Sequence, residues 1–316
     1  MILITGANGF LGSAIIATLE ARGIPVRGAV RTLSLSDHVI VGDIRSDTNW
    51  LPALKNIDTV VHTAARVHVM NDSFSDQIDE YRKVNVEGTL NLARQAVNSN
   101  VRRFIFISSI KVNGESTRLG LPFATDDQPN PKDPYGISKW EAEVGLQRVA
   151  KDKGLEVVII RPPLVYGTGV KANFASMIKW MGKAVPLPFG AIHNQRSLVA
   201  LDNLVSFISL CTDREKSPKA ANQVFLISDG EDVSTTQLLR KVGQALNLQS
   251  PSCIKAWLVP VPVSIMTFFA KLLGKGDMAN RLFGSLQVDS SKARDLLGWE
   301  PVITMDEQLA KMAKDT

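Results

Sequence analysis

Two cysteines, Cys211 and Cys253, are too few for a disulfide framework or a cysteine-rich zinc site, so buried free thiols of an intracellular protein are expected. The histidines show no metal-ligand spacing such as H-E-x-x-H, and no metal is expected. Long hydrophobic runs are missing as well. The longest charge-free one, Ala256 to Ala270, is broken by Pro260 and Pro262 and falls short of the roughly 20 residues that cross a bilayer, so it reads as core or interface and not as a membrane span. Basic runs interleaved with aromatics are also absent. The 36 basic and 31 acidic side chains leave a net charge of +5 that is scattered along the chain, a solvated surface and no nucleic-acid partner. No charged stretch followed by an apolar one opens the chain, which begins directly on the strand-like Met1-Ile-Leu-Ile-Thr5; the cytoplasm is the expected location.

What is present is a soluble globular composition, 45% hydrophobic and 21% charged over 316 residues, enough for about two domains. Short Val/Ile-rich runs at Ile2–Thr5, Pro25–Val30, His38–Val41, Asp58–Thr63, Arg103–Ser108 and Glu156–Arg161 alternate with helical patterns. Such βαβ units imply an α/β fold: a doubly wound parallel Rossmann sheet, with a smaller C-terminal α/β substrate lobe. Tyr81, Val84, Gly88, Leu92 and Ala96 recur at three- and four-residue intervals and predict one long amphipathic helix. A second long helix should start at Pro134, and further helices near 234–246 and 291–297. The expected division is a dinucleotide-binding domain over 1–164 with a returning segment near 192–228, and a second lobe from 165–191 and 229–316.

Gly6-Ala-Asn-Gly9-Phe10-Leu11-Gly12 follows the first strand and opens a helix. Glycines there permit a tight turn and close backbone approach to a pyrophosphate, and the helix N-terminus supplies N–H donors and positive dipole. Taken alone, the pattern is also an ordinary βα turn. At the end of the second strand, where an NAD site normally carries an acidic residue, this chain reads Val30-Arg31-Thr32. Arg31 there would pair with a 2′-phosphate, which favours NADP(H) and leaves NAD(H) possible. Asp43, after the third strand, is placed either to accept from the adenine amino group or to cap a turn.

Tyr135 and Lys139 stand four apart near a helix start and so project from one face. Lowering a phenol from pKa ~10 to ~7 requires roughly 4 kcal/mol of preferential phenolate stabilisation, which a neighbouring ammonium helps to supply. The pair Ser108-Ser109 ends the fifth strand, where one hydroxyl can hold a substrate oxygen.

These features, together with His62-Thr-Ala-Ala65, Asn85-Val-Glu-Gly88-Thr89, Tyr135-Gly-Ile-Ser-Lys139 and Arg161-Pro-Pro-Leu-Val-Tyr-Gly167, resemble the extended short-chain dehydrogenase/reductases, the NAD-dependent epimerase/dehydratase family, over nearly the full length. The resemblance implies an enzyme in which Ser109, Tyr135 and Lys139 are catalytic. Gly6, Gly9, Phe10, Leu11, Gly12, Arg31, Asp43, Ile44, Ala64, Ala65 and Asn85 would then line the cofactor with Tyr135 and Lys139. It also implies that Asn173, Arg196 and, less directly, Arg281 hold a UDP-sugar beside Ser109, and that two copies pair as a homodimer through the two long helices. Asn173 as a helix cap and Arg196 in a surface ion pair are the competing readings. One departure stands out: where many sugar-nucleotide epimerases have Val-Tyr-Gly after the serines, this chain has Lys111-Val112-Asn113-Gly114. Segments 109–115 and 161–174 look most like bacterial 4-reductases of UDP-4-keto-6-deoxy-N-acetylhexosamines, which serve surface-polysaccharide (O-antigen-type) synthesis. NADPH-dependent reduction at C4 is therefore the expectation, with a UDP-hexose 4-epimerase holding NAD and a non-catalytic NADP-sensing regulator as alternatives.

Overall fold

The computed structural model describes residues 1–32, 38–67, 74–170, 186–246, 258–272 and 282–314. Six strands form where the Val/Ile-rich runs lie: β1 (Ile2–Thr5), β2 (Val26–Val30), β3 (Val39–Ile40), β4 (Thr59–His62), β5 (Arg103–Ile107) and β6 (Glu156–Arg161). Further along the chain come β7 (Leu164–Tyr166), β8 (Arg196–Ala200), β9 (Gln223–Leu226) and β10 (Asp232–Val233). The large sheet runs β3-β2-β1-β4-β5-β6-β9, and every pairing in it is parallel. Chain direction across the sheet reverses between β1 and β4, which opens a crevice at their carboxyl ends, the usual ligand position in a doubly wound sheet.

Two apolar layers cover the sheet. On one side α1 (Phe10–Ala21) and α6 (Leu201–Thr212) pack with Ile15, Leu19, Leu204, Phe207 and Ile208. On the other, α4 (Thr89–Asn98) and α5 (Pro134–Lys153) pack Leu92, Ala96, Ala142 and Leu146 onto Phe104 and Phe106. Burial on both faces is why the strands read as continuous apolar runs. A separate antiparallel and parallel sheet, β10-β8-β7, carries α7 (Thr235–Ala245) and α10 (Met305–Lys314) around Tyr166, Leu198, Leu239 and Leu309. Between these two helices in sequence lie α8 (Val263–Leu272) and α9 (Ser291–Leu297), and the short α2 (Leu51–Leu54) precedes β4. No described helix is long and apolar enough to cross a membrane.

Local signals explain the two helices that matter most. Asp133 caps α5, its Oδ1 accepting from the Gly136 N–H at 2.7 Å; Pro134 occupies the first turn, and Gly154 ends the helix at φ +72°. The helix expected around Tyr81–Ala96 is instead three pieces: α3 (Phe74–Tyr81), a π-helical stretch Arg82–Gly88, and α4. A π-turn shifts the 3.6-residue phase, and Asn85 within this stretch is buried.

Candidate active site

The glycine loop turns tightly. Gly6 sits at φ +68°, and the Gly9 N–H donates to its carbonyl at 2.8 Å. A Cβ on Gly12 would lie 2.2 Å from that same carbonyl oxygen, so a side chain there would have to displace the loop. Gly9 caps α1 without a side chain, and no acidic residue occupies the first turn, which leaves the positive helix end open to an anion. This cradle fits the pyrophosphate of a dinucleotide. Ala64 and Ala65 are half-buried beside it; the Ala64 N–H donates to Thr5 Oγ1 at 3.3 Å. Arg31 and Asp43 meet at the other end of the crevice, with Nε and Oδ1 4.0 Å apart and both side chains exposed.

Asn85 fastens the crevice to α5. Its Oδ1 accepts from the Arg66 N–H at 2.8 Å, and its Nδ2 donates to the Arg66 carbonyl at 3.0 Å and to Ser138 Oγ at 3.1 Å. Three residues on, a Cβ at Gly88 would meet Ile44 Cγ2 at 2.5 Å, so this glycine sets how closely the helix approaches the loop after β3. Thr89 then binds His62 Nε2 at 2.9 Å while Thr5 Oγ1 takes Nδ1 at 2.7 Å. Burial, with the Lys139 charge adding, pulls His62 down to about 3, so it is a neutral cross-brace between β1, β4 and α4.

Strand alternation sends the two serines apart. Ser108 points inward, its hydroxyl donating to Glu143 Oε1 at 2.5 Å, whereas Ser109 is half-buried at the strand mouth and accepts from the Lys111 N–H at 3.3 Å. Lys139 is buried, donates to the Ile107 carbonyl at 2.9 Å, and lies 4.5 Å from the Phe106 ring centroid and 5.9 Å from that of Tyr135. Burial draws its ammonium down to about 7 against the upward pull of Glu143. Tyr135, edge-on to Tyr81 at 5.9 Å, is held above the ordinary phenol value by burial, then by Asp133 and Tyr81. The short turn after Ser109 abuts the helix start: a Cβ on Gly136 would lie 2.9 Å from the Lys111 carbonyl oxygen. The turn after Ser109 and the helix start that carries Tyr135 and Lys139 therefore lie against one another at the end of β5.

Arg196 lies on β8 and donates to the Gly284 carbonyl at 2.9 Å; burial lowers its pKa. Arg196 is thus half-buried, tied to the backbone at Gly284. Asn173 and Arg281 lie outside the described residues. Several contributors carried no role in the sequence reading, namely Asp133, Glu143 and the His62 braces Thr5 and Thr89. Glu143 had a readable signal, since it falls four residues after Lys139 on the same helical face.

A doubly wound sheet with a glycine cradle at its switch point and a Ser/Tyr/Lys mouth defines an extended short-chain dehydrogenase/reductase, and the chain belongs to the NAD dependent epimerase/dehydratase family, whose model matches residues 2–227. It is 49% identical to a UDP-glucose 4-epimerase of Vibrio cholerae, across 99% of this chain and 94% of that protein. Among solved structures, UDP-N-acetylglucosamine 4-epimerase from Bacillus cereus superposes with a TM-score of 0.80 at 20% identity, over 99% of this chain and 98% of that one. UDP-glucuronic acid 4-epimerase from Bacillus cereus in complex with NAD does so at 0.76 and 23%, over 99% and 97%. At those identities the superpositions speak for the fold. The near full-length relative overturns the expected C4 reductase. The misreading has a physical source: reduction and epimerisation use the same hydroxyl, phenol and ammonium, so these three side chains cannot separate the two reactions.

Proposed function

We propose that this chain interconverts the C4 epimers of a UDP-linked hexose with resident NAD. The observation that carries the reading is the 49% identity to a UDP-glucose 4-epimerase over essentially the whole chain, and the Lys139 ammonium 5.9 Å from the Tyr135 ring centroid supports it. When bound, oxidised nicotinamide supplies a hydride acceptor and a positive charge. With the nicotinamide bound, Tyr135 would take the proton of the C4 hydroxyl as C4 is oxidised. Ser109 Oγ steadies the resulting carbonyl oxygen, and Lys139 favours the phenolate. Once the 4-keto sugar has presented its other face, Tyr135 would restore the proton to the C4 oxygen as C4 is reduced again, so no net oxidation occurs.

Two features support NAD over the NADP(H) favoured by Arg31 in isolation. Epimerisation needs no cofactor exchange, and Arg31 faces Asp43, whose carboxylate would repel a 2′-phosphate. In this reading residues 1–164, with the return through α6 and β9, form the cofactor lobe, and the remainder holds the nucleotide sugar. Two copies meet through α4 and α5, which pack side by side within each chain with Leu90 against Gly145; sedimentation as a dimer is expected, and a monomer at micromolar concentration removes this part of the proposal.

The purified protein is expected to carry NAD and to convert UDP-galactose into UDP-glucose without net change in reduced nicotinamide. Stoichiometric loss of NADPH with a UDP-4-keto sugar, and no hexose interconversion, would defeat the reading.

A further inference from the structure

The segment in which this chain departs from many sugar-nucleotide epimerases, Lys111-Val112-Asn113-Gly114, lies between Ser109 and the start of α5, and its lysine does two things there. Its backbone carbonyl packs against Gly136, the residue after Tyr135, so tightly that a Cβ there would lie 2.9 Å away. Its ammonium reaches across to Asp133 Oδ2, the carboxylate whose other oxygen caps α5 at the Gly136 N–H. Glu115 is 3.8 Å from the same ammonium. One side chain therefore ties the serine turn to the cap of the helix that carries Tyr135.

We propose that Lys111 is a positioning residue for the Tyr135 proton transfer, acting through Asp133: it holds the cap of α5 against the Ser109 turn and offsets the cap's negative charge beside the phenol. The proposal rests on the epimerase reading for the role of Tyr135. The groups that bear on the phenol are Asp133 at the cap, Tyr81 across from it on α3, and Lys139 one turn further along α5; those that bear on Asp133 include Lys111, with Glu115 sharing the ammonium. Asp133 opposes ionisation of Tyr135. A carboxylate paired with an ammonium exerts less of that opposition than a bare one. An acidic cap favours the helix but disfavours the phenolate two residues later, and the lysine keeps the first effect while blunting the second.

The test follows the Tyr135 phenolate directly. The chain has three tyrosines, so the ultraviolet titration of the NAD-loaded protein, less that of its Tyr135→Phe variant, isolates this one. Lys111→Gln is expected to raise the phenolate midpoint by roughly half to one pH unit, a three- to tenfold smaller ionised fraction below the midpoint, and to move the rising limb of the kcat/KM profile by the same amount. Asp133→Asn keeps a competent cap and should lower the midpoint. The double variant should return it close to wild type, and Lys111→Arg should preserve it. A merely structural Lys111 would slow turnover without moving the midpoint, and Asp133→Asn would then add damage instead of reversing it. That pattern, or an unmoved midpoint in both single variants, overturns the proposal. The expected midpoint shifts in the variants, together with a wild-type protein that interconverts no UDP-hexose, would instead fail the functional reading.

Discussion

Replacing Tyr135 with Phe is expected to slow UDP-hexose interconversion by about 10²–10⁴-fold, the usual cost of losing a general acid/base. The substitution removes one oxygen and keeps the ring. The edge contact with Tyr81 at 5.9 Å and the Lys139 ammonium 5.9 Å from the ring centroid both survive it, so the helix start and the nucleotide cradle should be undisturbed. Retained NAD, measured on the extracted protein, should match wild type. Turnover falling with cofactor content kept places the loss in proton transfer. Near-normal turnover would take Tyr135 out of the mechanism, and loss of NAD along with activity would recast it as a cofactor contact.

The second large effect concerns stability. Behind the active-site mouth, Glu143 and Arg161 form a buried ion pair, 0% and 3% exposed, with Nη2 to Oε2 at 2.6 Å and Nε to both carboxylate oxygens at 3.0 and 3.2 Å. Ser108 donates to the same carboxylate, and Arg161 Nη1 donates to Asn113 Oδ1 at 3.0 Å, while Asn113 Nδ2 donates to the Ala124 carbonyl at 3.1 Å. The network joins β5, the turn after Ser109, α5 and β6. Arg161→Met leaves a carboxylate buried without its cation and is expected to cost about 3–5 kcal/mol. Urea unfolding should show this as a lower midpoint at an unchanged slope. Glu143→Leu combined with Arg161→Met should recover most of the loss, because neither charge then needs solvation. A double variant as unstable as the single one would show that shape, and not charge, is what the pair contributes.

Asn113 has a legible place in this account. It was visible only as a departure from Val-Tyr-Gly, and folding gives it the task of closing the Arg161 network. The long helix around Tyr81–Ala96 shows the converse limit: apolar spacing located it correctly, yet the π-helical stretch that holds the buried Asn85 leaves the three- and four-residue spacing almost intact and so escapes a periodicity reading. Arg31 was read from its position at a strand end, and its facing Asp43 depends on how the loop after β3 returns.

The sequence by itself determined the parallel sheet, because strands buried on both faces must be apolar throughout and helices between them must show a 3.6-residue stripe. It determined the glycine cradle and the Tyr135/Lys139 spacing too, since both are local: a βα turn and one helical turn. Only the tertiary structure decided which serine faces the mouth, which cation neutralises which carboxylate, and that His62 is held neutral between two threonines. Those depend on contacts between residues 18 to 57 positions apart, and on burial, which sets charge states through desolvation. Neither property is carried by the neighbours of a residue along the chain.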